Sequence, residues 1–422
     1  MFATVTQIFN RKNKDLQKKI LFTLAALFIF KLGTAIIVPG VDNASLGNLG
    51  FLELLNTMGG GAMEKFSIFA LGVMPYITAS IIIQLLSMDI IPYLTELTKQ
   101  GISGRTKINQ ITRVIGIILA FVQGYIYSFA FVSNGTPIQY LEYAVILTAG
   151  TAFLLWLGDQ ITAKGIGNGI SLIIMAGILA SLPNMFYTAF ITLVKTTASV
   201  QAISLGVVMF ALFVIVYVAI VLGIVYEETA ERRVPIQYAN KSANSYGGKQ
   251  SYIPFRLNSA GVIPVIFASA IISIPSILAS FINNDSITLF INKWIVMTTP
   301  TGLILYILCI FGFAYFYTFI QLKPNELADN LNKNGGYIPG VRPGDETVSY
   351  ISTVIKKITF VGATALAIIA ALPVLFGIFS NMPTSVRIGG TGLLIVVGVA
   401  LETYKQIESQ LISRNYTRGR RK

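Results

Sequence analysis

The chain has 422 residues, of which 54% are hydrophobic and only 12% charged, and its 31 lysines and arginines against 18 acidic residues leave a formal net charge of +13. A soluble globular chain carries about twice that charged fraction, so the composition excludes one. There is no histidine and a single cysteine, Cys309, which excludes an intramolecular disulfide and removes the commonest metal ligand and proton-shuttling base.

Apolar segments of about twenty residues, long enough to cross a bilayer core of roughly 30 Å, recur along the whole length. In chain order they lie near 20–38, 68–88, 114–133, 143–158 and 166–183, then near 205–226, 257–280, 301–321, 360–379 and 388–404. The fourth is short and the eighth the clearest. The expected fold is therefore an all-α polytopic membrane protein with ten transmembrane helices. The first segment follows a basic stretch, "RKNKDLQKK", as a secretory signal does. Its apolar run continues to Val38, however, and "TAIIVPG" offers no small-x-small cleavage site. It is expected to stay as the first helix.

Charge orients the chain. With residues 1–19 in the cytoplasm, every one of the 31 basic residues falls on that side except Lys65, Lys195, Lys293 and Arg387 outside and Lys31 within a helix. The positive-inside rule then puts both termini in the cytoplasm, including the basic tail 405–422. Two cytoplasmic loops, 227–256 and 322–358, are longer than orientation requires. Loops of that length are usually functional surfaces.

Ten helices divide into halves 20–183 and 205–404, joined by an extracellular connection near 184–204. An odd number per half makes the halves inverted, related by an axis in the membrane plane, although no convincing similarity links their sequences. Small-solute transporters share that architecture, but ion coupling puts ionisable residues in the membrane interior. Here the interiors are nearly free of them. Lys31 lies about seven residues, or roughly 10 Å, from the outer helix end, within snorkelling range. Asp159 and Lys164 sit at a cytoplasmic edge. Coupled transport is disfavoured.

"GIGNG", from Gly165 to Gly169, looks at first sight like a phosphate-binding loop. It lacks the Lys-Ser/Thr ending and follows no predicted strand. Two readings stay open: it opens a membrane helix with Asn168 as cap, or it lets helices approach closely. Intramembrane proteolysis would need a histidine pair or paired aspartates inside helices. No enzyme activity, cofactor or metal site is expected.

"GGGAMEKFSIFALGVMPYITASIIIQLL", "WLGDQITAKGIGNGISLIIMAGI", "ERRVPIQYA", "NSAGVIPVIFASAI", "ADNLNKNGGYIPGVRPG" and "GGTGLLIVVGVALET" resemble, in order and spacing, the bacterial SecY family. The resemblance runs from about residue 10 to the end. It implies two inverted five-helix halves around an hourglass pore in the bacterial cytoplasmic membrane, opening sideways between the second, third, seventh and eighth membrane helices. Unfolded secretory polypeptides cross such a pore, and transmembrane segments leave it sideways into lipid. The implied partners are the membrane subunits SecE and SecG, the motor ATPase SecA, the translating ribosome with its RNA, signal sequences and nascent polypeptides, and membrane lipid. ATP would be hydrolysed by SecA, so this chain need not be an enzyme. The resemblance covers both a housekeeping channel subunit and an accessory paralogue for a restricted set of exported proteins. The well-preserved motifs favour the first.

Site residues follow from the same resemblance. The segment Asn56, Thr57, Met58, Gly59, Gly60, Gly61, Ala62, Met63, Glu64, Lys65 and Phe66 matches the plug that closes the outer vestibule. Glycines permit displacement, and a wet vestibule tolerates Glu64 and Lys65 where lipid would not. Read without the family, the same stretch is an extracellular loop whose glycines turn the chain. Pro75 is expected in about the second turn of the second helix, where a missing donor is least costly. The pore constriction matches Val73, Ile77, Ile174, Ile178, Ile266 and Ile395. Val73/Ile77 and Ile174/Ile178 are spaced i, i+4 on one helix face, and a ring of branched aliphatics seals by dewetting. Singly, each residue reads as ordinary packing. Gln84 within "IIIQLL" and Ser269 on the seventh helix match the lateral gate, with a structural role equally open. Arg342 in "GVRPG" sits on a tight turn that matches the SecA and ribosome contact. Arg232, Arg233 and Arg256 are candidates for phosphate contacts with ribosomal RNA. Lys241 and Lys249 read as solvated surface charge.

Overall fold

The computed structural model describes residues 13–41, 56–57, 59–87, 90–132, 135–194, 200–238, 251–282, 285–296, 299–379 and 384–419. Met58, Lys195, Lys241 and Lys249, with residues 11–12 and 420–422, lie outside them.

Each predicted membrane segment meets a helix. In chain order these are α1 (Lys14–Gly33) and α2 (Met74–Leu86), then, after the short α3 (Pro92–Lys99), α4 (Ile102–Phe131), α5 (Pro137–Lys164) and α6 (Gly169–Leu193). α7 (Val200–Thr229) and α8 (Ile263–Ile282) follow, then the short α9 (Asp285–Trp294), α10 (Pro300–Leu322), the short α11 (Pro324–Lys333), α12 (Asp345–Phe379) and α13 (Thr384–Gly419). Among the described residues, six helices are long and apolar enough to cross a membrane.

The boundaries differ from expectation for local physical reasons. The segment predicted at 68–88 is helical only over its 13-residue core. Residues 67–73 instead close turns, with Ala70 N–H bonded to Ser67 O and Gly72 N–H to Phe69 O, both at 2.9 Å. Pro75 therefore falls in the first turn of α2 and not the second, where no intrahelical donor is lost. The fourth segment, read as short, is a 28-residue helix. Thr136 and Gln139 form a reciprocal capping box and Pro137 opens the first turn. α4 and α12 begin well before their apolar cores because their first turns are polar, which a hydropathy reading passes over.

A three-stranded antiparallel sheet, not anticipated from the sequence, joins the two long loops. β1 (Glu231–Tyr238) and β2 (Ser251–Arg256) pair from Glu231↔Arg256 to Ile236↔Ser251, and β3 (Gly336–Tyr337) adds to the other edge through Gln237↔Tyr337. Only Val234 and Ile236 are buried along β1, so the alternation is too short to stand out. These two side chains and Phe255 pack with Ala328, Leu331, Ile338, Ile351 and Ile355 from α11, the turn after β3 and the start of α12.

The chain forms two compact units, residues 1–197 with 383–422 and residues 198–382. In the first unit α4 packs on α5 and α2, and α13 packs on α6. The last predicted helix thus sides with the first five. In the second unit α10 packs on α8 and α12.

The "GIGNG" stretch explains the anchoring of α13, and both readings of it hold. Asn168 caps α6 by accepting from Ile170 N–H and Ser171 N–H. A Cβ on Gly169 would collide with the Gly158 carbonyl of α5. Its remaining donors reach other helices: Ile166 N–H to Thr23 Oγ1 at 3.1 Å, Gly167 N–H to Gln406 Oε1 at 2.6 Å and Gly169 N–H to Thr162 Oγ1 at 2.9 Å. Gly169→Ala is expected to destabilise the membrane domain by roughly 1–3 kcal/mol, the scale of overpacking in a rigid contact. A thermal unfolding midpoint equal to that of the parent would contradict it.

Candidate functional site

The described residues of the matched segment, 56–57 and 59–66, lie at the C-terminal end of α1, where Lys31 reaches Gly60. Gly61 N–H bonds to Asn56 O at 2.9 Å and Gly60 N–H to Thr57 O at 3.2 Å, closing a turn. Asn56 Oδ1 accepts from Glu64 N–H at 3.0 Å, so the start of the segment is tied to its charged end. Glu64 and Lys65 are exposed, whereas Ala62, Met63 and Phe66 are buried. Phe66 holds a left-handed backbone, φ 44°, a conformation that costs a non-glycine residue about 1–3 kcal/mol. Its ring lies edge-on to Tyr143 at 6.2 Å, within a core of Val38, Met63, Leu71, Ala120 and Leu147. The chain after α1 returns to this segment, with Val38 N–H bonded to Phe66 O and Ile68 N–H to Ile36 O, each at 3.0 Å.

The glycine turn rests on the helix that carries two ring candidates. Gly60 has φ 72°, and a Cβ there would lie 3.1 Å from the Cα of Gly177 on α6. Only glycine satisfies both demands. Ser181 Oγ reaches Thr57 O at 3.5 Å on the same helix, and Lys31 Nζ donates to Gly60 O at 3.2 Å. Lys31 is thus engaged by the segment and not simply extended toward an interface. Gly177, Ser181 and this role of Lys31 escaped sequence reasoning. The small residue beside Ile178 was the available signal for Gly177.

Five of the six ring candidates belong to the first unit. Ile174, Ile178 and Ile395 are buried, and a Cβ on Gly392, one turn before Ile395, would lie 2.8 Å from Ile178 Cγ2. α6 and α13 therefore meet where their candidates lie. Val73 sits just before α2 as its N-cap, and Ile77 N–H bonds back to Val73 O at 3.2 Å, so the expected one-turn spacing holds. Val73 is buried and Ile77 half-buried. Ile266 lies in the first turn of α8 in the second unit, also buried.

The gate candidates differ from each other. Gln84 is exposed, its amide bonded to Ser80 Oγ one turn back at 3.1 Å. Ser269 is buried, and its hydroxyl donates to Ile266 O at 2.8 Å within α8.

In the second unit, Arg342 projects from a turn between Gly340, φ 82°, and Gly344, φ 101°. Its side chain is 87% exposed and faces Glu346 at 3.9 Å. Thr347 Oγ1 donates to its carbonyl at 2.8 Å, fixing the turn to the start of α12. On the sheet, Arg233 and Arg256 share the outward face with Tyr252 and Tyr337, while Arg232 lies opposite Phe255 on the other face. All three arginines are exposed. Arg233 bonds to Glu231 at 2.7 Å and lies 4.8 Å from the Tyr252 ring centre. The hydrogen bond it donates to Glu231 raises its pKa further, so it is cationic throughout the working range.

Comparison with known proteins bears on what such an arrangement serves. The SecY family model matches residues 67–404. The protein translocase subunit SecY of Bacillus subtilis (strain 168) is 46% identical over 429 residues, covering 99% of both chains. A solved structure whose SecY plug domain stabilises the closed state of the translocation channel and maintains a membrane seal aligns with a TM-score of 0.63 at 17% identity, over 94% of this chain and 93% of that one. Sec61 in the canine ribosome-channel complex aligns at 0.64 and 18% identity, over the same shares. With a relative at that identity over 99% of both chains and a family model that matches residues 67–404, the chain belongs to the SecY family.

Proposed function

We propose that this chain is the protein-conducting subunit of the cytoplasmic-membrane translocase, passing unfolded secretory polypeptides across and releasing transmembrane segments into lipid. It works with SecE, SecG, the SecA motor and the translating ribosome, and has no enzymatic step of its own. The general export channel, and not an accessory paralogue, is the reading favoured by 46% identity with the Bacillus subtilis protein translocase subunit SecY. One observation carries the channel reading: a polar-tipped glycine turn is seated on α6 at Gly177, beside Ile178.

In this reading Val73, Ile77, Ile174, Ile178, Ile266 and Ile395 form one aliphatic constriction, and residues 56–66 are the plug above it. The plug's contacts are partly polar, which suits a part that must leave. Gln84 and Ser269 flank the lateral exit. Gln84, being exposed, is the better candidate for contact with an arriving signal sequence. Arg342 and the outward arginines Arg233 and Arg256 form the cytoplasmic docking surface for acidic protein and phosphate groups.

Deleting residues 56–66 tests the plug. The deleted channel is expected to insert and assemble with its partner subunits, yet to raise resting ion conductance in planar bilayers several-fold. An unchanged resting conductance would remove the assignment.

A further inference from the structure

Lys31 lies in the last turn of α1, and the channel reading leaves it without a task. Its ammonium donates to the carbonyl of Gly60 at 3.2 Å. That carbonyl belongs to the turn closed by Asn56 and Thr57 and pressed against Gly177. The other end of the segment is already tied to the chain after α1 by the two backbone bonds at Phe66 and Ile68. Lys31 therefore adds an attachment at the end nearest Ile178, beside the 3.5 Å contact of Ser181 Oγ with Thr57 O.

We propose that Lys31 is a latch, a positioning residue that holds the Gly60 turn against α6 until a translocating chain displaces it. The inference rests on reading residues 56–66 as the plug. The chemistry suits a reversible hold. A charge-assisted bond to one carbonyl is strong enough to bias the closed state. On release, water in an opened vestibule can satisfy all three ammonium donors, so the open state carries no stranded charge.

The test uses the full translocase reconstituted in lipid at matched amounts, with resting ion conductance as the readout. Lys31→Met should raise that conductance by about tenfold, the effect of losing one charge-assisted bond. Lys31→Arg should restore a value near that of the parent. In the channel lacking residues 56–66, Lys31→Met should add nothing, since the two changes act on one contact. Unchanged conductance in Lys31→Met, while the deletion itself leaks, overturns the latch and leaves the plug standing. An equal rise from Lys31→Met with and without the segment would show a helix-packing defect and also overturn it. Failure of arginine to rescue overturns it as well. A deletion that does not leak overturns the plug reading on which the latch rests.

Discussion

Arg342→Glu is expected to reduce SecA-dependent translocation and ribosome binding by at least about tenfold while leaving the membrane domain folded. The residue is 87% exposed, and its one ion pair, with Glu346 at 3.9 Å, is a solvated surface contact that contributes little to stability. The turn that presents it is held by backbone and by Thr347, which bonds to the Arg342 carbonyl and not to its side chain. Reversing the charge therefore leaves the turn in place and sets glutamate against acidic protein surface or phosphate. Like charges brought together at an interface cost several kcal/mol. It would also place the new carboxylate one turn from Glu346, adding a repulsion of a few tenths of a kcal/mol that is too small to melt α12. The measurement is translocation of a secretory precursor into vesicles, alongside co-sedimentation with ribosomes and a thermal midpoint. Normal translocation and normal ribosome binding would remove Arg342 from the docking surface.

Asparagine at the constriction is expected to loosen signal-sequence selection. Ile395 and Ile266 are both buried, and in the proposed constriction six aliphatic groups would leave water no hydrogen-bonding partner. Ile395→Asn or Ile266→Asn adds a donor and an acceptor there. That wets the neck and lowers the cost of opening by roughly 1–3 kcal/mol, the desolvation scale of a polar group, or about five- to 150-fold in the open fraction. A signal sequence opens the channel through its differential affinity for the open state. When the closed state is weaker, a poorer signal suffices. Both variants should therefore export a reporter with a defective signal and leak more ions at rest. Ile395→Leu, which conserves volume and polarity, should do neither. If the asparagine variants, made at normal levels, reject the defective signal and leak no more, these residues are packing and not gate.

Much of the site was legible because its residue types are chemically odd for their place. A Glu-Lys pair and three glycines beside an apolar run, or an arginine next to a proline in a turn flanked by two glycines, have few explanations in a membrane chain. The ring was not legible residue by residue. An isoleucine in a membrane helix looks the same whether it faces lipid, another helix or a pore, and only the family spacing singled out Val73, Ile77, Ile174, Ile178, Ile266 and Ile395. The sheet was missed because Val234 and Ile236 alternate over too short a run to give a period.

Hydropathy and charge by themselves determined the membrane class, the order of the ten helices and the placement of the long loops on one face. Those properties depend on local composition: each helix satisfies its own backbone, and lipid sorts charge segment by segment. The tertiary structure alone decided which residues meet across distance. It carried the Lys31 ammonium to the Gly60 carbonyl, 29 residues away, and Gln406 to the Gly167 amide, 239 residues away. It also gathered two loops, separated in sequence by α8, α9 and α10, into one small sheet. A hydrogen-bond partner is chosen by geometry after the helices have packed, and many carbonyls in this chain would have served Lys31 as well. Packing brought Gly60 within reach because it lacks the Cβ that would have pressed on the Gly177 backbone.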